Sequence, residues 1–235
     1  MNNIRTAIHW WLCENCTKNE DVFAPIRSLL GYLFDCANSL YAVLTKEPLP
    51  TTASYSAGIK SSGKYGVYII NQLSPRDFFR LRGMLGLVGD MFCIIKTMRN
   101  LSDNLDNSTL SSLLDNHLPN LKKYRHARNF FAHFDERIAV AMEEHGVTGE
   151  LEVRELGIRF TKEAEGCFYL GFCGDTVYYH DKQRDETKPS PKSISLNKCQ
   201  LADIFSLVTD LYDLVTSHSI HATNYPASKS IYDLN

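Results

Sequence analysis

Leu118-Pro119-Asn120-Leu121-Lys122-Lys123-Tyr124-Arg125-His126-Ala127-Arg128-Asn129-Phe130-Phe131-Ala132-His133-Phe134 is the stretch on which the fold turns. Continued to Glu144, its apolar positions Tyr124, Ala127, Phe131, Phe134, Ile138 and Ala141 recur by threes and fours. That is the heptad-like stripe of a helix that packs on other helices. The spacing predicts one long helix over about Leu118–Glu144.

Upstream, Ile4, Ile8, Trp11 and Leu12 recur at helical spacing and predict a short amphipathic helix. The apolar run Val22–Leu44 has no proline after Pro25 and reads as a long helix ended by Pro48 and Pro50. Residues 49–66 are rich in Ser, Thr, Gly and Pro and read as a loop, while Val67–Ile70 is either one short strand or the start of the next helix. Ser74 as N-cap, Pro75 at the first helical position and Asp77 in the first turn open a helix expected to reach about Asn100. Its Gly83, Gly86 and Gly89 are expected to allow close approach of a neighbouring helix. Asn104–Asn116 reads as a polar connection.

Downstream of Gly146 the period changes. Leu151–Val153 and Ile158–Phe160 alternate, and Cys167–Phe172 and Thr176–Tyr179 flank Gly174-Asp175, the pattern of a β-hairpin. Asp181–Lys192 is a charged loop. Asn197 is placed to cap a last helix whose Leu201, Ile204, Val208, Leu211 and Val215 form a second stripe, and the tail from Ser219 is polar and expected to be loose. The expected fold is mainly α: a single domain over 1–235, an antiparallel helical bundle with a small β-hairpin insertion at about 150–196, before the last helix.

Composition limits what such a bundle can do. Of 235 residues, 44% are hydrophobic and 22% charged, ordinary for a globular chain and unlike a disordered one. A net charge of −2 excludes a global basic field for holding nucleic acid, so any such contact must be local. Ile4–Leu12 is too short and interrupted for a signal or a membrane span. Seven scattered cysteines argue for reduced thiols, and hence a cytoplasmic protein without a membrane partner. His9, Cys13 and Cys16 have spacings that a metal could use, but no second motif completes a zinc site, so no metal or cofactor is expected. Cys13-Glu14-Asn15-Cys16 lacks the βαβ setting of a thioredoxin-like pair, and His180-Asp181, at the end of an expected strand, reads as loop chemistry rather than catalysis.

The chemically informative residues lie on the long helix. At about 100° per residue, Asn129 and His133 stand on one face, shared with Arg125 and Glu136 and nearly opposite the Phe131 stripe. Arg128 is about 140° around from His133. One straight helix does not bring the two to the same substrate atom, whereas two copies side by side can, which favours a homodimer with a composite site. Histidine near neutral pKa can take a proton from a ribose 2′-OH or return one to a leaving oxygen. Arginine can brace a phosphate and stabilise its developing charge. Asparagine can orient either. Lys122, Lys123 and Arg125 supply a local cationic entrance for substrate.

Arg128, Asn129 and His133 together make an Arg-polar-x3-His motif, and on a helix of an α-helical bundle it resembles that of the HEPN superfamily. The likeness extends over about residues 20–145 and leaves the β insertion and the last helix unexplained. It implies a dimeric bundle and metal-independent endoribonuclease activity leaving a 2′,3′-cyclic phosphate, often in toxins or abortive-infection effectors held by an antitoxin or other regulatory protein. It also allows non-catalytic members that only bind RNA or a partner protein. Members paired with nucleotidyltransferase antitoxins usually carry tyrosine two residues after the histidine; this chain has Asp135, which speaks against that mode of regulation. Against the resemblance stands a plain reading: Arg128 pairs with Asp135 or Glu136 on a helix surface, His133 is an ordinary surface histidine, and the bundle is unrelated. Residues 49–66 and the β insertion would shape substrate access or partner binding.

Overall fold

Leu201, Ile204, Val208, Leu211 and Val215 are all fully or almost fully buried, as their spacing predicts, on a helix that runs Lys198–Ser217 directly after Asn197. A computed structural model of the protein describes residues 2–16, 20–46, 58–62, 65–71, 74–105, 107–133, 136–137, 151–153, 158–160, 167–181, 190–217 and 232. The long described helices are α1 (Asn2–Asn15), α2 (Phe23–Lys46), α3 (Pro75–Ser102), α4 (Ser108–Ala132) and α5 (Lys198–Ser217), with a 3-10 turn at Glu20–Val22. The protein is mainly helical. Among the described residues no helix is long and apolar enough to cross a membrane.

The chain divides into two compact units, one of residues 1–46, 86–125 and 198–235, the other of residues 47–85 and 126–197. In the first unit α1, α2 and α5 pack on one another. Ile8, Trp11 and Leu12 are the buried face of α1, and Ile26, Leu30, Leu33, Ala37, Leu40 and Leu44 are that of α2. Fully burying side chains of this size stabilises by about 1.5–3 kcal/mol each. Tyr124, also buried, donates its hydroxyl to the carbonyl of Gln200 at 2.9 Å, which satisfies the polar end of a large core side chain. The tail is not wholly loose. The Tyr232 ring packs tilted against Phe205 (5.1 Å between ring centres) and edge-on to Tyr41 (5.4 Å), and its hydroxyl donates to Asn38 Oδ1 at 3.0 Å. An aromatic ring with a phenol can pack and bond at once, so one such residue anchors an otherwise polar segment.

The second unit holds the sheet. Its strands are β1 (Gly58–Ser62), β2 (Tyr65–Asn71), β5 (Cys167–Cys173), β6 (Thr176–Asp181) and β7 (Ser190–Ser195), in that spatial order, with β3 (Leu151–Val153) and β4 (Ile158–Phe160) paired separately. All neighbours are antiparallel except β2 and β5, which are parallel from Gly66 opposite Cys167 to Asn71 opposite Phe172. The hairpin around Gly174-Asp175 is as predicted: Cys173 faces Thr176 and Gly174 has φ of 56°, a conformation that glycine adopts without strain. The β structure is nevertheless larger than a hairpin at 150–196. Residues 58–62 and 65–66, expected within a loop, are in strands, and the segment at 67–70 is strand rather than helix. The end of the expected loop, residues 190–192, also becomes strand, as the first half of β7, where Pro191 is tolerated because β7 is an edge.

Two helical expectations are corrected. α4 begins at Ser108, not Leu118, because Asn107 caps it: Asn107 Oδ1 accepts from the Leu110 amide at 3.0 Å. The helix then carries Pro119 internally, where the ring has no N–H to give to the Asp115 carbonyl, while buried Leu110, Leu114 and Leu121 hold both sides down. At its other end α4 stops at Ala132. The helix expected to Glu144 therefore breaks near His133, although no Gly or Pro lies between Asn120 and His145 to signal it. Phe130, not Phe131, is the fully buried member of the pair; Ile138 and Ala141 lie outside the described residues.

α3 starts as predicted. Ser74 Oγ accepts from the Asp77 amide at 3.1 Å and donates to the Asp77 carboxylate at 2.7 Å, closing a reciprocal cap. Two of its three glycines, Gly83 and Gly86, do not behave as predicted, while Gly89 is buried. A Cβ built on Gly83 or Gly86 meets nothing within 4 Å, so no helix crowds either position among the described residues. Replacing Gly83 or Gly86 by Ala should raise the unfolding free energy by about 0.5–1 kcal/mol each, by restricting the unfolded chain and improving helix propensity. Urea titration reads this directly, and a loss of stability would mean that the glycine face is packed. Tyr232→Ala should cost about 2 kcal/mol and Tyr232→Phe about 1 kcal/mol, the difference separating ring packing from the Asn38 bond. Equal costs for the two would assign the whole effect to the hydroxyl.

Candidate active site

Arg128 and Asn129 lie in the last turn of α4, one turn before the bend at His133. Both are half-buried, and Arg128 Nη1 donates to Asn129 Oδ1 at 3.3 Å. That bond fixes the asparagine amide by turning its oxygen to the guanidinium, and it leaves the amide N–H groups to face elsewhere. His133 follows the helix without belonging to it: its amide still donates to the Asn129 carbonyl at 3.1 Å, and its own carbonyl accepts from the Arg137 amide at 3.0 Å. Asn129 and His133 thus remain one turn apart, as the i, i+4 spacing implies.

The His133 side chain is exposed, with a relative side-chain exposure of 56%, and its Nδ1 stands 3.7 Å from Glu136 Oε2. The separation is too long for a hydrogen bond, and an exposed pair of this kind stabilises little. Glu136, expected to share the face of His133, lies on the Nδ1 side of its ring. Of the two partners in the plain reading of Arg128, Glu136 faces the histidine and Asp135 lies outside the described residues.

The cationic residues earlier on α4 are individually placed as follows. Lys122 and Lys123 are exposed, with Lys123 Nζ 5.1 Å from the centre of the Tyr124 ring. Arg125 is half-buried, its guanidinium 5.6 Å from the Phe92 ring centre. Contacts of this kind with aromatic faces leave the cations charged and available to an anion.

Two roles escaped the sequence reading. His180 lies at the end of a strand, β6, as expected, but is 2% exposed, with its ring edge-on to Phe130 at 4.6 Å. Burial, with the positive charge of Arg137 as a smaller cause, pushes its pKa down to about 4. The alternation Val177-Tyr178-Tyr179-His180 would have placed it in a strand, but not which face it takes. Arg137 has the other. Its amide donates to the His133 carbonyl while its charge reaches His180, so it links these two residues. Phe130, next to Asn129 in sequence, is in turn held by His180 and by Tyr179 at 6.0 Å.

No family model, curated protein or solved structure matches the chain.

The buried histidine carries a pH signature. His180 has an ordinary unfolded pKa of about 6.5 and a folded one of about 4, so its contribution is fully present above pH 6.5 and is lost as pH falls towards 4. The expected loss is roughly 3 kcal/mol across that window. Denaturant titrations of wild type and His180→Gln between pH 7.5 and 4.5 should show the steeper fall in wild type; parallel curves would mean that His180 binds its proton equally in both states.

Proposed function

We propose that the chain is a metal-independent endoribonuclease of HEPN type, acting as a homodimer on RNA in the cytoplasm, as a toxin or phage-defence effector. The observation that carries this reading is the compact set at the end of α4: Arg128 bonded to Asn129, and His133 one turn on with Glu136 at its Nδ1. In the proposed reaction His133 Nε2 takes the proton from the ribose 2′-OH, and the 2′-oxygen attacks the adjacent phosphorus. Arg128 stabilises the charge on the non-bridging oxygens, with Asn129 holding its guanidinium in place. The bond to the 5′-oxygen breaks and that oxygen accepts a proton, leaving a 2′,3′-cyclic phosphate. One histidine cannot both remove and supply a proton in a single step, so a symmetric pair of His133 residues gives base and acid together. Lys122, Lys123 and Arg125 supply contacts to the RNA backbone, and an antitoxin or other regulatory protein restrains the activity.

A second reading keeps the fold and drops the turnover: a non-catalytic HEPN-like module that binds RNA or a protein partner. It is favoured by the engagement of Arg128 with Asn129 within its own chain, which a phosphate would have to share.

The purified full-length protein should cleave a mixed RNA pool in EDTA, with products ending in cyclic phosphate. His133→Ala should reduce the rate by roughly a hundredfold or more, and Glu136→Gln by about threefold to tenfold. Cleavage that needs added metal, or that survives His133→Ala, would sink the proposal; RNA binding without cleavage by a folded dimer would establish the second reading.

A further inference from the structure

Cys13 and Cys16 close α1, three residues apart, with the Cys16 amide still bonded to the Leu12 carbonyl at 3.1 Å. Residues at that helical spacing have side chains about 5–6 Å apart at Cβ, so a small backbone movement brings their sulfurs within bonding geometry. Their environments differ. Cys13 is exposed, and its Sγ is 4.0 Å from His9 Nε2, one turn earlier on the same face. Cys16 is buried; burial pushes its thiol pKa up, against the weaker opposing effect of Asn107, whose Nδ2 stands 3.8 Å from the sulfur. The pair therefore has one accessible thiol beside a base and one protected thiol behind it.

Both cysteines line a cleft between α1 and α2, which adjoins a second cleft through the shared residues His9 and Arg27. Their volumes, about 330 and 360 Å³, are of the size that holds small ligands. The second cleft adds Arg5, Thr6 and Ser28, a cationic and hydroxyl-bearing wall. Arg5 is fixed there by Asp35 at 2.8 Å and lies against Gly31, where an added Cβ would come 3.2 Å from its Cζ. Arg27 has no ion pair among the described residues and belongs to both clefts.

We infer that this cleft is a thiol–disulfide exchange site for low-molecular-weight disulfides bearing carboxylates, with Cys13 as the attacking thiol, Cys16 as the resolving thiol and Arg27 as the carboxylate contact. His9 accepts the Cys13 proton. The thiolate attacks one sulfur of the incoming disulfide, whose S–S bond breaks; one thiol leaves with the proton from His9, and a mixed disulfide remains on Cys13. Cys16 then gives up its proton to water and attacks the Cys13 sulfur, releasing the second thiol. One disulfide is reduced to two thiols as two cysteine thiols become one disulfide, so atoms and electrons balance. The chemistry is independent of the ribonuclease reading and uses none of its residues.

The test treats the full-length reduced protein with oxidised glutathione or with neutral 2-hydroxyethyl disulfide and follows each cysteine by peptide mass mapping. Cys93 and Cys199, also exposed, are internal standards. Cys13 should react at least about fivefold faster than either, ending as a Cys13–Cys16 disulfide; Cys16→Ser should stop at the mixed disulfide on Cys13. Arg27→Gln should slow the glutathione reaction about threefold to fivefold and leave the neutral reagent unaffected. Reaction of Cys13 no faster than Cys93 and Cys199 would overturn the site, and equal effects of Arg27→Gln on both reagents would overturn the carboxylate contact.

Discussion

Parallel pairing of β2 with β5 joins segments about a hundred residues apart in sequence, and the second unit depends on it. Without those bonds β1–β2 would be a lone hairpin and β5–β6–β7 a separate meander, each with an open edge and little to bury. With them the five strands become one sheet, in which β5 is paired on both sides and holds β6 to β2 and β1. It is β6 that carries His180 against Phe130, and Phe130 is the buried neighbour of Asn129. The proposed catalytic end of α4 thus lies against a strand whose neighbour, β5, carries that distant pairing.

The same residues explain why some of this was legible in the sequence and some was not. The α5 stripe and the Ser74 cap were readable because their causes are local: a period of three and four, or one hydroxyl next to one helix start. The turn at Gly174-Asp175 was readable for the same reason. β2 was legible only as one of two readings of Val67–Ile70, and β1 and β7 were not, because Gly58–Ser62 and Ser190–Ser195 have the small, polar composition of loops and owe their extended form to partners elsewhere in the chain. α4 misled at both ends. Its start was obscured by Pro119, which imitates a first-turn proline, and its end bears no breaker at all.

The candidate site divides along the same line. Arg128, Asn129 and His133 stand out in sequence because they form a spaced motif, and the Arg128–Asn129 bond joins neighbours. Glu136 was seen as sharing a face but not as the partner of the imidazole. Arg137 and His180 were invisible as a pair, since the field of one reaches the other only after β6 has found its place. Motif residues can be read from spacing; the burial of His180 against Phe130 is set by tertiary contacts.

The β2–β5 pairing also has a consequence for synthesis. A chain made from its N-terminus exposes the inner edge of β2 well before residues 167–172 exist. At about 5–20 residues per second, roughly 5–20 s pass before the partner strand is made, longer still before it leaves the ribosome. During that interval an apolar segment, Val67-Tyr68-Ile69-Ile70, has unsatisfied backbone groups on one side. Nascent chains in crowded polysomes could pair with each other through that edge. The fold therefore places a demand on the translating cell, for spacing or for chaperones, that the finished protein no longer displays.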